Sequence, residues 1–167
     1  MMKLTKSFEH GMTMVAMLAT QKKDVPVSSL ALHREVKGSL AYTKKILRKL
    51  VVGGIVSSIP GIKGGYLLAR SPKEITLDQI VYALEGAHFS TFPNTGVFQS
   101  LFPAASSKKV EKAEKAIHDI FYAADRAWLH VLEQVTLEEL VLQATGDAPF
   151  RIIDWNVMDK DKKENIK

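Results

Sequence analysis

Apolar residues recur every three or four positions along most of this chain, a period that predicts amphipathic helices. On this pattern, helices are expected over residues 8–20, 30–36, 39–52, 76–84, 107–134 and 136–144. Residues suited to capping precede them: Ser7 for the first, Ser28 or Ser29 for the second, and Ser39 for the third. Two of the later helices open on capping-box patterns, at residues 76–79 and 136–139.

Two short β-like runs, residues 55–59 and 66–69, interrupt the helical period. Between them lies the sequence PGIKGG, whose proline and glycines favour a tight turn, so a β-hairpin is predicted with Lys63 near its tip. A short helix, a turn containing Gly38, a second helix and this hairpin follow one another in the order of a winged helix-turn-helix. The predicted fold class is therefore mainly α with a small β-hairpin wing.

The longest predicted helix would span about 42 Å at 1.5 Å per residue, more than a compact N-terminal unit can cover. We therefore expect part of its apolar stripe to pack against a second subunit, which would make it a dimerisation helix. The alternative is that it docks wholly within its own chain. The stripe residues assigned to the dimer interface are Val110, Ile117, Ile120, Phe121, Ala124 and Trp128.

These elements divide the chain into four segments. Residues 1–86 form the expected winged helix-turn-helix DNA-binding domain, and residues 87–106 a linker or sensor segment. Residues 107–145 hold the dimerisation helix and a short C-terminal helix, and residues 146–167 form a tail. The end of the tail is charged and has no apolar period, so we expect it to be disordered.

Charge is distributed unevenly between the two halves. Residues 1–86 carry 13 Lys or Arg against 6 Asp or Glu, whereas residues 87–167 carry 10 against 12. Between residues 27 and 73 the single acidic residue, Glu35, faces nine basic ones. A field of this sign favours a polyanion as partner, although a solvated basic face is the simpler alternative.

Composition and spacing argue against several other classes. The chain has no cysteine, which excludes disulfides, thiolate metal sites and thiol catalysis. No apolar run is long enough for a membrane span and the N-terminus does not resemble a secretory signal, so a cytoplasmic protein is expected. The five histidines are scattered without carboxylate partners or metal-ligand spacing, and Gly64-Gly65 lacks the phosphate-loop pattern. We predict neither an enzyme nor a metal site.

The basic helix and the hairpin together indicate DNA binding. Lys44, Lys45 and Arg48 fall within about one turn on one helical face, from which they can reach bases or phosphates in a major groove. Ser39 lies at the helix N-terminus, where backbone N–H groups favour phosphate. Lys63 at the hairpin tip can enter a neighbouring minor groove. A winged helix used for protein contacts is the alternative.

The stretch from Ser39 through Gly86 resembles the Rrf-two family of bacterial transcriptional regulators, which includes the iron–sulfur cluster regulator and the nitric-oxide-sensing repressor. The most specific match is KGGYLLARSPKEITLDQIVYALEG at residues 63–86, and the similarity extends to MKLT at 2–5 and LEQVTLEELV at 132–141. This resemblance implies a homodimer that binds an inverted-repeat operator near a promoter.

The resemblance also implies roles for single residues. Base-reading positions fall at Ala41, Lys44 and Lys45, and phosphate contacts at Ser39 and Tyr42. The family's wing arginine aligns with Pro60, which cannot replace it, so Lys63 is the expected substitute. The full set of expected DNA-contacting residues is Lys6, Ser28, Ser39, Ala41, Tyr42, Lys44, Lys45, Arg48, Lys63, Gly64, Gly65 and Tyr66.

Cluster-binding members of the family carry three cysteines in the segment that corresponds to residues 87–106, and this chain has none. It therefore resembles the clusterless branch, and no iron–sulfur cofactor is expected. The segment is instead rich in phenylalanine. It either receives a small-molecule effector or packs the linker onto the dimer, and the candidate pocket residues are His88, Phe89, Phe92, Phe98 and Phe102.

The leading hypothesis is a dimeric, sequence-specific DNA-binding regulator, expected to act as a repressor on double-stranded DNA. The second is a small-ligand sensor or protein-interaction module that uses the winged-helix fold without specific DNA readout. Ligand-dependent thermal stabilisation with no selected operator would distinguish the second from the first.

Overall fold

The computed structural model describes residues 4–36, 38–86, 100, 107–145 and 152–157. Its elements, in chain order, are α1 (Lys6–Thr20), α2 (Ser29–Glu35), α3 (Leu40–Val52), β1 (Val56–Ile59), β2 (Gly65–Leu68), α4 (Leu77–Glu85), α5 (Ser107–Glu133) and α6 (Leu137–Thr145). A 3-10 turn, Pro72–Glu74, precedes α4. The mainly helical architecture with one antiparallel hairpin confirms the predicted fold class.

The caps of α2 and α3 are as expected, whereas that of α1 differs. The side chain of Ser28 accepts from the backbone N of Ala31 at 3.1 Å, which starts α2, and Ser39 starts α3 in the same way. The prediction of Ser7 as the cap of α1 was wrong, because Thr5 is the N-cap. A bond from the Thr5 hydroxyl to Glu85 of α4, at 2.7 Å, holds that residue in place.

The two predicted capping boxes have different outcomes. Thr136 and Glu139 form the reciprocal pair: Glu139 accepts from the Thr136 backbone at 2.8 Å and donates its own N–H to the Thr136 hydroxyl at 3.2 Å. These bonds from Thr136 lower the pKa of the Glu139 carboxyl. At Thr76 the box was wrong, because Arg70 donates to the Gln79 side chain at 2.9 Å and Thr76 makes no capping bond.

The core lies between α1, α2, α3, α4 and β1, and α6 contributes to it. Leu137 of α6 is fully buried, and its backbone N donates to the carbonyl of Ile75 at 2.8 Å. The chain just before α4 is thereby joined to the corner between α5 and α6. The largest fully buried side chains include Met14, Leu32, Ile46, Leu47, Leu50, Ile55, Ile80 and Leu84.

A short segment near the C-terminus, residues 152–157, packs against the N-terminal unit; we call it the C-terminal strap. The backbone N of Ile153 donates to the carbonyl of Thr20 at 2.8 Å, and Lys22 donates back to Ile153 at 3.0 Å. The indole N–H of Trp155 donates to the Thr20 hydroxyl at 3.0 Å. The strap therefore lies beside the end of α1 and the connection to α2.

Within the described residues, no helix combines the length and the apolar character needed to cross a membrane.

Candidate nucleic-acid interface

Helix α3 separates a buried face from a basic face. Its buried side carries Ile46, Leu47 and Leu50, which pack into the core as the period predicts. The exposed face carries Ala41, Lys44, Lys45 and Arg48. Within the described part of the chain, no salt bridge involves these three cations, so their charges face solvent. The exposed face of α3 is therefore positively charged, the sign that attracts a polyanion.

Lys49, at the margin of the basic face, has a different role. It is half-buried, and its ammonium donates to the carbonyl of Leu84 near the C-terminus of α4. A cation at that end of a helix donates to a free carbonyl and is attracted by the negative end of the helix dipole. Lys49 thus fixes α3 to α4.

A hydrogen bond between side chains joins the two helices of the helix-turn-helix. Nδ1 of His33 on α2 lies 3.0 Å from the hydroxyl of Thr43 on α3, and Thr43 is fully buried. The same hydroxyl lies 3.3 Å from the carbonyl of Ser39. Thr43 therefore links α2 to the first turn of the basic helix.

Replacing Thr43 with valine, which is similar in shape, leaves His33 without this partner. We expect the free energy of unfolding to fall by about 1 kcal/mol, the usual effect of losing one such bond. Urea unfolding followed by circular dichroism measures this. The control is Thr13→Val, because Thr13 donates only to the carbonyl of Glu9 on its own helix. Equal losses in both variants would contradict a role for the His33 bond.

The wing is a two-stranded antiparallel hairpin. The strands pair Val56 with Leu68 and Ile59 with Gly65, which places residues 60–64 at the tip. Ile62 and Lys63 are exposed there. Lys63 thus lies where the sequence places it, on the free end of the wing.

The base of the wing is attached to the connection between α1 and α2. Tyr66 and Val27 exchange two backbone hydrogen bonds of 2.9 Å each. Gly65 permits this approach, because a Cβ built on it would lie 2.4 Å from the carbonyl oxygen of Val27. Gly64 is restricted similarly by the carbonyl of Ile59, 2.2 Å from its hypothetical Cβ. Both glycines therefore have a structural reason to be present.

Gly65→Ala should separate the wing from Val27. The added methyl group would overlap backbone atoms, which cannot rotate away, so we expect the free energy of unfolding to fall by about 1–3 kcal/mol. Thermal unfolding measures the loss. Ile62→Ala is the matched control in the same hairpin, because Ile62 is fully exposed. A Gly65→Ala protein as stable as this control would exclude the overlap.

The other expected DNA contacts lie in varied settings. Lys6 is exposed in the first turn of α1, Ser28 and Ser39 are helix caps, and Tyr66 is half-buried at the wing base. Tyr42 is half-buried, with its ring 5.6 Å from that of His10 in an edge-on contact. Only part of the Tyr42 side chain is therefore accessible.

Helix α5 exposes most of its apolar stripe. Ile120 is 68% exposed and Phe121 48% exposed, and Ala124 is also exposed, whereas Ile117 and Trp128 are half-buried. Val110 differs from the expected set, since it is already buried within this chain at 8% exposure and leaves little surface for a second subunit. Ile120, Phe121 and Ala124 thus form an exposed apolar patch on α5.

The predicted pocket residues His88, Phe89, Phe92, Phe98 and Phe102 lie outside the described residues. The structure instead contains a cavity of about 500 Å³ between α1 and α6. Met12, Ala16 and Val141 line its walls, and Ile153 and Trp155 of the C-terminal strap line one side. The lining residues carry no charged side chain, so the cavity suits an uncharged apolar molecule.

Sequence reasoning missed the residues that hold the interface together. The bond between His33 and Thr43, the attachment of the wing to Val27 and the strap were not expected. The spacing of ten residues between His33 and Thr43 across a helix-turn-helix offered a signal for the first. The strap left no periodic signal.

Comparisons with known proteins agree on one family. The family model Rrf2, described as an iron-dependent transcriptional regulator, matches residues 4–143. CymR of Bacillus subtilis, an HTH-type transcriptional regulator, is 27% identical over 146 residues, covering 87% of this chain and 94% of CymR. The Synechocystis protein slr0846, a candidate HTH-type transcriptional regulator, is 34% identical over 137 residues, covering 76% of this chain and 92% of its own length.

Solved structures give a similar result. The structure of T. potens IscR has a TM-score of 0.54 at 27% identity, covering 85% of this chain and 88% of that one. The structure of B. subtilis CymR, described as the global cysteine regulator, has a TM-score of 0.57 at 24% identity and covers 86% and 98%. The second likeness shows the fold alone.

The family description mentions iron, so the available ligands matter. The sequence contains no cysteine. Among the residues that the structure describes, no group of three or more His, Asp or Glu side chains could hold a metal ion. The described residues therefore do not fit an iron centre.

Proposed function

Because this chain belongs to the Rrf2 family of helix-turn-helix transcriptional regulators, we propose that it is a homodimeric, cytoplasmic repressor that binds an inverted-repeat operator. Residues 1–86 form the DNA-binding domain, and residues 107–145 carry the dimer contact. Its family and relatives are regulators and not enzymes.

The basic face of α3 beside the wing carries the proposal. Lys44 and Lys45 read base edges in the major groove, with Ala41 in contact beside them. Arg48, Ser39 and the accessible part of Tyr42 contact phosphates, which fix the register of the helix on DNA. Lys63 extends the footprint to the neighbouring groove from the wing tip.

The exposed stripe of α5 supports the homodimer. A helix of 27 residues spans about 40 Å, and over most of that length its apolar side faces solvent in the single chain. Exposed apolar area of this extent is unfavourable in water and is commonly covered by a partner subunit. Two copies pairing through Ile117, Ile120, Phe121, Ala124 and Trp128 would place two α3 helices for two half-sites.

The decisive experiment is selection from a random-sequence duplex library by the full-length protein. We expect enriched duplexes to contain an inverted repeat, with half-site centres about one helical turn apart or a multiple of it. Affinity should fall steeply as salt rises, because phosphate contacts release counterions. Enrichment of no sequence would refute the operator, and a non-palindromic consensus would refute the symmetric dimer. Increased transcription from a reporter that carries the selected site would refute repression.

The cavity between α1 and α6 favours a second, compatible function, regulation by a small apolar effector. A volume of about 500 Å³ lies within the range of small-molecule sites. N-phenyl-1-naphthylamine, an uncharged fluorescent probe, should bind the wild-type protein and bind Ala16→Leu more weakly, because the larger side chain narrows the cavity between α1 and α6. Equal fluorescence with both proteins would place the probe elsewhere.

A further inference from the structure

The connection between α1 and α2 is held on two sides. Residues 26–28, which we call the junction, receive the wing on one side through the paired backbone bonds of Val27 and Tyr66. On the other side lies Asn156 of the C-terminal strap. The junction therefore joins α2, the wing and the strap.

A single side-chain amide contacts both ends of the junction. Oδ1 of Asn156 accepts from the backbone N of Ser28 at 3.0 Å, and its Nδ2 donates to the carbonyl of Pro26 at 2.9 Å. These two groups flank the N–H and C=O of Val27, which bond the wing. Asn156 thus reproduces, with one side chain, the pairing that a neighbouring strand would supply.

The position of Asn156 is itself fixed. Arg34 of α2 donates to the backbone carbonyls of Trp155 and Asn156, at 3.0 and 3.3 Å. The backbone N of Asn156 donates to the carboxylate of Asp154 at 3.1 Å. The strap is therefore bonded both to α2 and to the junction, which precedes α2.

We propose that Asn156 is a positioning residue for DNA binding, which sets the relative placement of α2 and the wing through the junction. This inference rests on the proposed function. Asn156 bonds Pro26 and Ser28, the two neighbours of Val27. Ser28 starts the helix that supports α3, and Val27 holds the base of the wing. An operator contacted by α3 and the wing together requires a fixed distance between these two elements. A small displacement of one relative to the other would break hydrogen bonds to DNA at one of the two contacts.

The first test measures affinity for the duplex that the wild-type protein selects and for a scrambled duplex. Asn156→Ala should bind the selected duplex about tenfold more weakly and the scrambled duplex within about twofold of wild type, because the charges are unchanged. Ile152→Ala is the matched control, a strap residue that is 67% exposed. It should bind both duplexes as wild type does.

The second test measures position directly and does not need DNA. Because the chain has no cysteine, Leu30→Cys on α2 and Ile62→Cys at the wing tip provide the only spin-label sites, and both positions are exposed. Dilution with unlabelled protein isolates distances within one protomer. Asn156→Ala should broaden the distance distribution between the labels, whereas Ile152→Ala should leave it unchanged.

A second variant, Asn156→Asp, tests whether the effects of Asn156→Ala arise from a general loss of folding. It retains an acceptor for Ser28 but places a second oxygen against the Pro26 carbonyl, so it too should broaden the distribution while far-ultraviolet circular dichroism stays native. A distribution and a selected-duplex affinity equal to wild type in both Asn156 variants would overturn the inference. If the wild-type protein selects no duplex, the proposed function fails, and the label distances alone decide whether Asn156 positions the wing.

Discussion

Replacing Lys44 and Lys45 together with alanine is expected to weaken binding to the selected operator by roughly a thousandfold or more. Each well-placed contact to a base edge contributes about 1–3 kcal/mol of discrimination, and a dimer would lose each contact twice. Both side chains are exposed on the face of α3 opposite its core residues, so the fold should be unaffected. Fluorescence anisotropy with labelled duplexes measures the change.

A second pair of lysines provides a control that distinguishes the loss of base contacts from the loss of positive charge. Lys108→Ala with Lys109→Ala removes the same charge from exposed positions at the start of α5. This control variant should bind the selected duplex and the scrambled duplex slightly more weakly than wild type, and to the same extent. The Lys44 and Lys45 variant should instead bring the two affinities together. If both variants lose the same affinity for the two duplexes, Lys44 and Lys45 contribute only their positive charge to binding and do not read the sequence.

Phe121→Asp should convert the proposed homodimer to a monomer. A carboxylate at the centre of the exposed stripe would have to be buried without a counter-charge in a helix–helix interface, which costs several kcal/mol per subunit. Operator affinity should then fall on the order of a hundredfold, because the two half-sites are no longer bound as one unit. Sedimentation equilibrium measures the mass, and anisotropy measures the affinity.

Tyr122→Asp is the matched control. Tyr122 is the next residue in the sequence, an aromatic side chain that is 57% exposed. It lies about 100° around α5 from Phe121 and outside the stripe, because a helix has 3.6 residues per turn. It should leave the dimer intact. A dimeric Phe121→Asp protein, or monomers from both variants, would show that the stripe does not form the interface.

Local chemistry allowed much of the DNA-binding unit to be predicted. The helical period separated the buried and basic faces of α3, and the glycines at residues 61, 64 and 65 predicted the wing. Ser28 and Ser39 were placed correctly because a hydroxyl before a helix satisfies free N–H groups regardless of tertiary context. These features depend on neighbours within a few residues.

The errors arise where a distant residue decides between local options. Thr5 and Ser7 are both able to cap α1, and Glu85, 80 residues away, binds Thr5. Thr76 has the sequence of a capping box, but Arg70 engages the Gln79 side chain that would complete it. Val110 is not such an error: it belongs to the apolar stripe of α5 by period and is buried within its own chain, and its contact with a second subunit stays a prediction. Hydrophobic period alone does not show which part of a stripe remains free.

The bonds between Asn156 and the junction join residues that are 128 and 130 positions apart. This separation affects when, during translation, the protein is able to bind its operator. Ribosomes add about 5–20 residues per second, and N-terminal regions fold first. A nascent chain can assemble α1 to α4 seconds before residues 152–157 are synthesised, with the junction still unsupported on one side. Incomplete translation products are therefore expected to compete poorly for the operator, which would reserve regulation for chains that have been made through the strap.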